Sequence, residues 1–126
     1  MIFRLLLILM LPLCAWSQSD ELERRVMRKH ANGKDYVVLY FDKETAELLK
    51  EEVYYNNGKL QWAGDYKRNL ENGTWKFYHE NGKLKTEETY LNGREHGTTK
   101  EYDETGKKIK ETYWKHGKLI KEVTFD

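Results

Sequence analysis

Apolar residues alternate with polar ones at a spacing of two, as in Trp75/Phe77 and Val123/Phe125, and glycines interrupt them at regular intervals. That is the period of a half-buried strand, and frequent glycine is costly inside a helix. Residues 36–41 form a dense β-branched and aromatic run that predicts a first strand. Further strands follow over residues 48–55, 59–66, 74–78, 83–90, 98–102, 107–114 and 118–125. Between them Asn57-Gly58, Asn81-Gly82 and Asn92-Gly93 are hairpin signals, because both residues tolerate the positive φ that matches strand twist. Thr105-Gly106 and His116-Gly117 are weaker versions.

The pattern also repeats at longer range. Tyr54, Tyr78 and Tyr102 are in step, as are Gly58, Gly82 and Gly106, each followed by Lys59, Lys83 and Lys107. Tyr66 and Tyr90 keep the same interval, with Trp114 in the next slot. A period of ~24 residues with short connections predicts an all-β fold, a single antiparallel meander sheet of about eight strands built from β-hairpin repeats. Leu60, Trp62, Gly64 and Tyr66 are expected on one face, which Trp62, Tyr66, Trp75, Phe77, Tyr90 and Tyr113 would shield by stacking along the sheet. In the third repeat the slots of Trp75 and Phe77 hold Thr99 and Glu101. Ile109 arrives three residues after Gly106, where Leu60 and Leu84 arrive two after their glycines, so a bulge or a longer turn that resets the register is expected there.

The first stretch has a different character. Arg4, the apolar run 5–13 and the Ala15-Trp16-Ser17 site read as a secretory signal peptide over residues 1–17. Cys14 supplies an alternative, a lipid attachment point, and membrane contact is expected only if the chain is anchored there. Residues 18–34 read as a charged linker or short helix, and 35–126 as the repeat domain. Of the 22 basic residues Arg4 is lost with the signal peptide, which leaves 21 against 21 acidic ones. That balance argues against nucleic acid as a partner, which demands a concentrated positive field. No cysteine remains for a disulfide after residue 17.

Candidate chemistry is sparse. His30, His79, His96 and His116 are far apart in sequence, with none of the spacings of a metal site. Glu51-Glu52 and Glu87-Glu88 are neighbours on strands and therefore point to opposite faces. Ser17 and Ser19 are the only serines, so no Ser/His/Asp set is available within the repeats, and the dispersed glycines form no phosphate loop. No cofactor, metal or catalytic residue is expected, and the chain is read as a non-enzyme. Lys59, Lys83, Lys107 and Lys118 either line a rim for an acidic partner or keep the turns hydrated. Tyr54, Tyr78 and Tyr102 have the parity opposite to Trp75 and Phe77. They are the candidate partner-binding row, with a stacked structural ladder as the alternative.

Residues 81–97, Asn-Gly-Lys-Leu-Lys-Thr-Glu-Glu-Thr-Tyr-Leu-Asn-Gly-Arg-Glu-His-Gly, resemble the MORN-repeat variant of bacterial proteins grouped as the YwqK-like antitoxin family. Tyr90, Asn92-Gly93 and His96-Gly97 look like the tyrosine, Asn-Gly and His-Gly of that signature, and Gly58-Lys59-Leu60, Tyr66 and Gly73-Thr74-Trp75 match in the preceding unit. The resemblance implies a β-hairpin repeat sheet that acts through protein contacts. The expected function is an exported, periplasmic or secreted scaffold for a protein partner in the cell envelope. Neutralisation of a toxin, or binding of glycan or peptidoglycan, are the alternatives.

Overall fold

The structure, a computed structural model, describes residues 22–126. Among them the regular elements are all strands: β1 (Leu22–Lys29), β2 (Asp35–Asp42), β3 (Leu48–Tyr54), β4 (Leu60–Lys67), β5 (Leu70–Tyr78), β6 (Leu84–Leu91), β7 (Arg94–Glu95), β8 (Gly97–Tyr102), β9 (Lys108–Lys115) and β10 (Lys118–Thr124). They make one antiparallel sheet in chain order, with the short β7 pairing only with β6. The expected meander is what forms, with ten strands in place of about eight. One addition is β7. The other is β1, so the part of the charged segment 18–34 expected as linker or helix is, over Leu22–Lys29, an edge strand hydrogen-bonded to β2. An edge strand carries long charged side chains without alternation because it packs little and must resist pairing with other chains. Residues 18–21 and the signal-like stretch with Cys14, Ser17 and Ser19 lie outside the described residues.

Register departs from simple alternation in most strand pairs, and one departure recurs beside the turns after β3, β5 and β8. Val53 faces Trp62 but Tyr54 faces Leu60, which leaves Gln61 unpaired. Phe77 faces Thr86 and Tyr78 faces Leu84, leaving Lys85; Glu101 faces Lys110 and Tyr102 faces Lys108, leaving Ile109. One extra residue on one strand is a β-bulge. The register shift expected at Ile109 is therefore present as a bulge, and because the same shift recurs in the earlier repeats it does not set the last one apart. Its consequence for Leu60 corrects the expected face: the bulge sets Leu60 beside Tyr54, on the side away from Trp62.

One face of the sheet is aromatic. Trp62 sits between Val53 and Phe77 in the register, and Trp75 and Gly73 face Glu88 and Tyr90. Trp75 is the hub: its ring stacks on Trp62 at 5.5 Å between centroids and meets the edges of Tyr66 at 5.3 Å and Tyr90 at 5.9 Å. Its indole N–H donates to the Asp65 carbonyl at 3.1 Å, and only 6% of the residue is exposed. The ring lies flat on Gly64, where an added Cβ would stand 2.0 Å from Trp75 Cδ2. Gly64 has no positive φ, so space alone demands glycine there. Tyr113, expected in this layer, faces Thr98 on the opposite side, and Trp114 takes the aromatic slot instead. Toward β9 the layer thins to the buried pair Thr99 and Thr112, which face each other across β8 and β9.

Gly64→Ala should destabilise the chain by about 3 kcal/mol, because Trp75 must leave its seat and uncover its neighbours. A denaturant titration followed by tryptophan fluorescence checks this, and a midpoint within error of wild type would refute the close approach.

Candidate interaction surface

The turns that carry the Asn-Gly-Lys signature stack along one end of the sheet and are tied to each other. In each, a ring donor, an asparagine and a lysine reach the backbone carbonyls of the turn one repeat further on. His30 Nε2, Asn32 Nδ2 and Lys34 Nζ donate to Tyr54, Asn56 and Asn57 at 2.7, 2.7 and 3.2 Å. Tyr55 Oη, Asn57 Nδ2 and Lys59 Nζ do the same for Tyr78, Glu80 and Asn81 at 2.7, 3.4 and 3.3 Å. His79 Nε2, Asn81 Nδ2 and Lys83 Nζ serve Tyr102, Glu104 and Thr105 at 3.0, 2.8 and 3.0 Å. In the fourth turn the slots change to Asp103 and Thr105, and the Asp103 carboxylate accepts from its own turn, including the N–H groups of Thr105 and Lys107. Lys59 and Lys83 thus neither form a free basic rim nor merely hydrate the turns. They satisfy carbonyls that a turn leaves unpaired.

Tyr54, Tyr78 and Tyr102 lie half-buried on the face opposite Trp75, and their carbonyls are the acceptors of that ladder. Their rings make no contact with one another, because they stand on alternate strands, ~10 Å apart by strand spacing. The stacked aromatic ladder is therefore absent from this row. Tyr54 lines a shallow depression of ≈ 410 Å³ with Arg24, Lys34 and Asp35, and Tyr78 one of ≈ 230 Å³ with Lys50, Asp65 and Lys76. Tyr54 also donates to Glu52 at 2.5 Å, as does Tyr40 at 2.7 Å, and burial followed by that carboxylate pushes the Tyr54 phenol well above its ordinary range. Burial would push Glu52 up as well, but the hydrogen bonds of Lys50, Tyr54 and Tyr40 outweigh it and hold the carboxyl below the usual value.

The adjacent carboxylates separate as strand geometry requires. Glu52 serves the tyrosine face while Glu51 accepts from Tyr66 on the aromatic face at 2.9 Å. Glu87 pairs with Lys100 at 3.8 Å, and Glu88 accepts from Tyr90 at 2.8 Å on the other side. Burial, then the charge of Glu88, raises the Glu95 carboxyl.

Folding brings His96 and His116 together, with ring centroids 4.7 Å apart, although they are 20 residues apart in the chain. The His116 backbone N–H donates to His96 Nδ1 at 3.2 Å, which places the His96 proton on Nε2 in the neutral ring. Among the described residues no three His, Cys, Asp or Glu side chains converge as metal ligands would. The ladder roles of His30, His79 and Tyr55 were missed from sequence. Their signal was the shared slot two residues before each asparagine, where the change from histidine to tyrosine hid the common donor.

The family described as MORN repeat variant matches residues 71–92 and 95–116, two consecutive units of the repeat. No curated protein matches. The solved structure titled "Crystal Structure of TarM" is similar over 83% of this chain and 20% of its own length, at 15% identity and a TM-score of 0.52. The chain thus spans about a fifth of that protein, and the likeness is one of fold.

Asn81→Ala removes the bond to Glu104 and the acceptor for the Lys83 N–H, and should cost about 1–2 kcal/mol by denaturant titration. An unchanged stability would refute the ladder. Glu95→Gln should raise the melting temperature at neutral pH. A carboxyl whose folded-state pKa is raised destabilises once ionised, so the gain should shrink as pH falls through that raised range. A gain that grows in acid would contradict it.

Proposed function

We propose that the chain is an exported, non-enzymatic β-repeat scaffold that binds a protein partner in the cell envelope through one face of its sheet. One observation carries this reading: the described residues form a single layer, and no second element covers either face. A soluble domain normally buries its sheet against another layer. Here Trp62, Tyr66, Phe77 and Tyr90 remain only half-buried, and a partner laid on the sheet would complete their removal from water. Concave or flat surfaces built from stacked repeats are suited to such contacts. Export rests on the signal-like residues 1–17, and the absence of catalysis on the missing nucleophile sets.

Mass spectrometry of the protein recovered from envelope fractions should find a chain starting at Gln18, or one acylated at Cys14. An intact Met1 form confined to the cytoplasm would overturn export. Crosslinking of the tagged protein in cells should recover one protein reproducibly. Loss of sedimentation with peptidoglycan in Tyr54→Ala/Tyr78→Ala/Tyr102→Ala would instead favour a glycan-binding module. Rescue of cells from a co-expressed neighbouring toxin would favour the YwqK-like antitoxin role.

A further inference from the structure

The balance of 21 basic against 21 acidic residues after residue 17 conceals a separation across the thickness of the sheet. From β3 to β8 the aromatic face carries Glu51, Glu71, Glu88, Glu95 and Glu101, and no lysine or arginine at the positions paired in the register. The opposite face of the same strands carries Lys50, Lys76 and Lys100 among Glu52, Asp65 and Glu87. There the carboxylates Glu52 and Glu87 are paired with Lys50 and Lys100. On the aromatic face Glu101 is paired with Lys110 of β9. Glu51, Glu71, Glu88 and Glu95 have no cation within 4.0 Å among the described residues. Three of the four are held by hydroxyl groups instead: Tyr66 donates to Glu51, Tyr90 donates to Glu88, and Thr99 donates to Glu95 at 3.4 Å.

We propose that this face receives a cationic segment of a partner protein, a lysine- or arginine-rich stretch lying over Trp62, Tyr66, Phe77 and Tyr90 with its charges on Glu51, Glu71, Glu88 and Glu95. The inference rests on the scaffold reading and adds to it the face and the chemistry of the partner. Uncompensated carboxylates beside ring faces attract a cation twice, by charge-assisted hydrogen bonds and by the ring quadrupole. The aliphatic stems of lysine and arginine cover the apolar surface between those points. The carboxylates do not converge on a metal, consistent with a ligand whose charges are spread out. From β3 to β7 they span four strand spacings, ~19 Å, which an extended peptide crosses in roughly six residues.

The test uses the purified chain and two decapeptides, one alternating lysine and glycine, the other alternating glutamate and glycine. The lysine peptide should bind and shift the Trp62 indole N–H resonance, while the glutamate peptide should not. Glu51→Gln/Glu71→Gln/Glu88→Gln/Glu95→Gln should weaken binding roughly tenfold or more, and Lys50→Gln/Lys76→Gln/Lys100→Gln on the other face should change it less than about twofold. If the fourfold variant loses its strand signal by circular dichroism, Glu88→Gln/Glu95→Gln and a rise in salt from about 0.05 to about 0.5 M give the same comparison. Equal loss in the variants of both faces, or a lysine peptide indifferent to the glutamine set, overturns the proposal. So does chitohexaose shifting Trp62 with unchanged affinity in the fourfold variant, which would assign the face to glycan. A cellular partner that stays bound to the fourfold variant overturns the face assignment and leaves the scaffold reading standing.

Discussion

A sheet with no second layer must dry its side chains with their own neighbours, and the packing of Trp75 on Gly64 is where this chain achieves it. A strand residue has close contacts only sideways, across about 5 Å to the next strand. Tryptophan is large enough to cover a neighbouring strand if that strand gives way, and glycine gives way. With Trp62, Tyr66 and Tyr90 around it, the ring becomes one of the few buried apolar groups in the described residues. The arrangement weakens toward β9, where Thr99 and Thr112 replace aromatics and Trp114 keeps a buried Nε1 without a partner.

The second source of cohesion runs along the sheet end and not through it. Each signature turn donates three side-chain hydrogen bonds to the next, so repeats separated by two strands are coupled directly. Bulges at Gln61, Lys85 and Ile109 accompany the turns and set Leu60, Leu84 and Lys108 opposite Tyr54, Tyr78 and Tyr102, on the face away from the tryptophans. Asp103 and Thr105 close the series by turning their bonds inward. Stability in such an object is a sum of repeat and neighbour terms, and this ladder is one of the neighbour terms.

The two faces that result have different chemistry. One presents rings with carboxylates held by phenols; the other presents tyrosines among paired lysines and glutamates. Because alternate residues of one strand supply both, a composition with a formal net charge of only +1 still yields an acidic surface. A chain-wide count averages over what a strand separates.

Period, turn chemistry and alternation were enough to establish by themselves that the chain is a meander of hairpin repeats, because strand pairing between adjacent hairpins is a local matter. They also separated Glu51 from Glu52 and set Tyr54, Tyr78 and Tyr102 opposite Trp75. They did not reveal β1, whose edge position removes the alternation, nor the side of Leu60 and Tyr113, which depends on bulges and cross-strand register. The donors His30, Tyr55 and His79, the meeting of His96 with His116, and the grouping of four unpaired carboxylates around aromatic rings were decided only by the tertiary structure. Each of these joins residues a repeat or a strand apart, and which of them meet is set by sheet register, a property of how strands lie beside one another and not of any one strand.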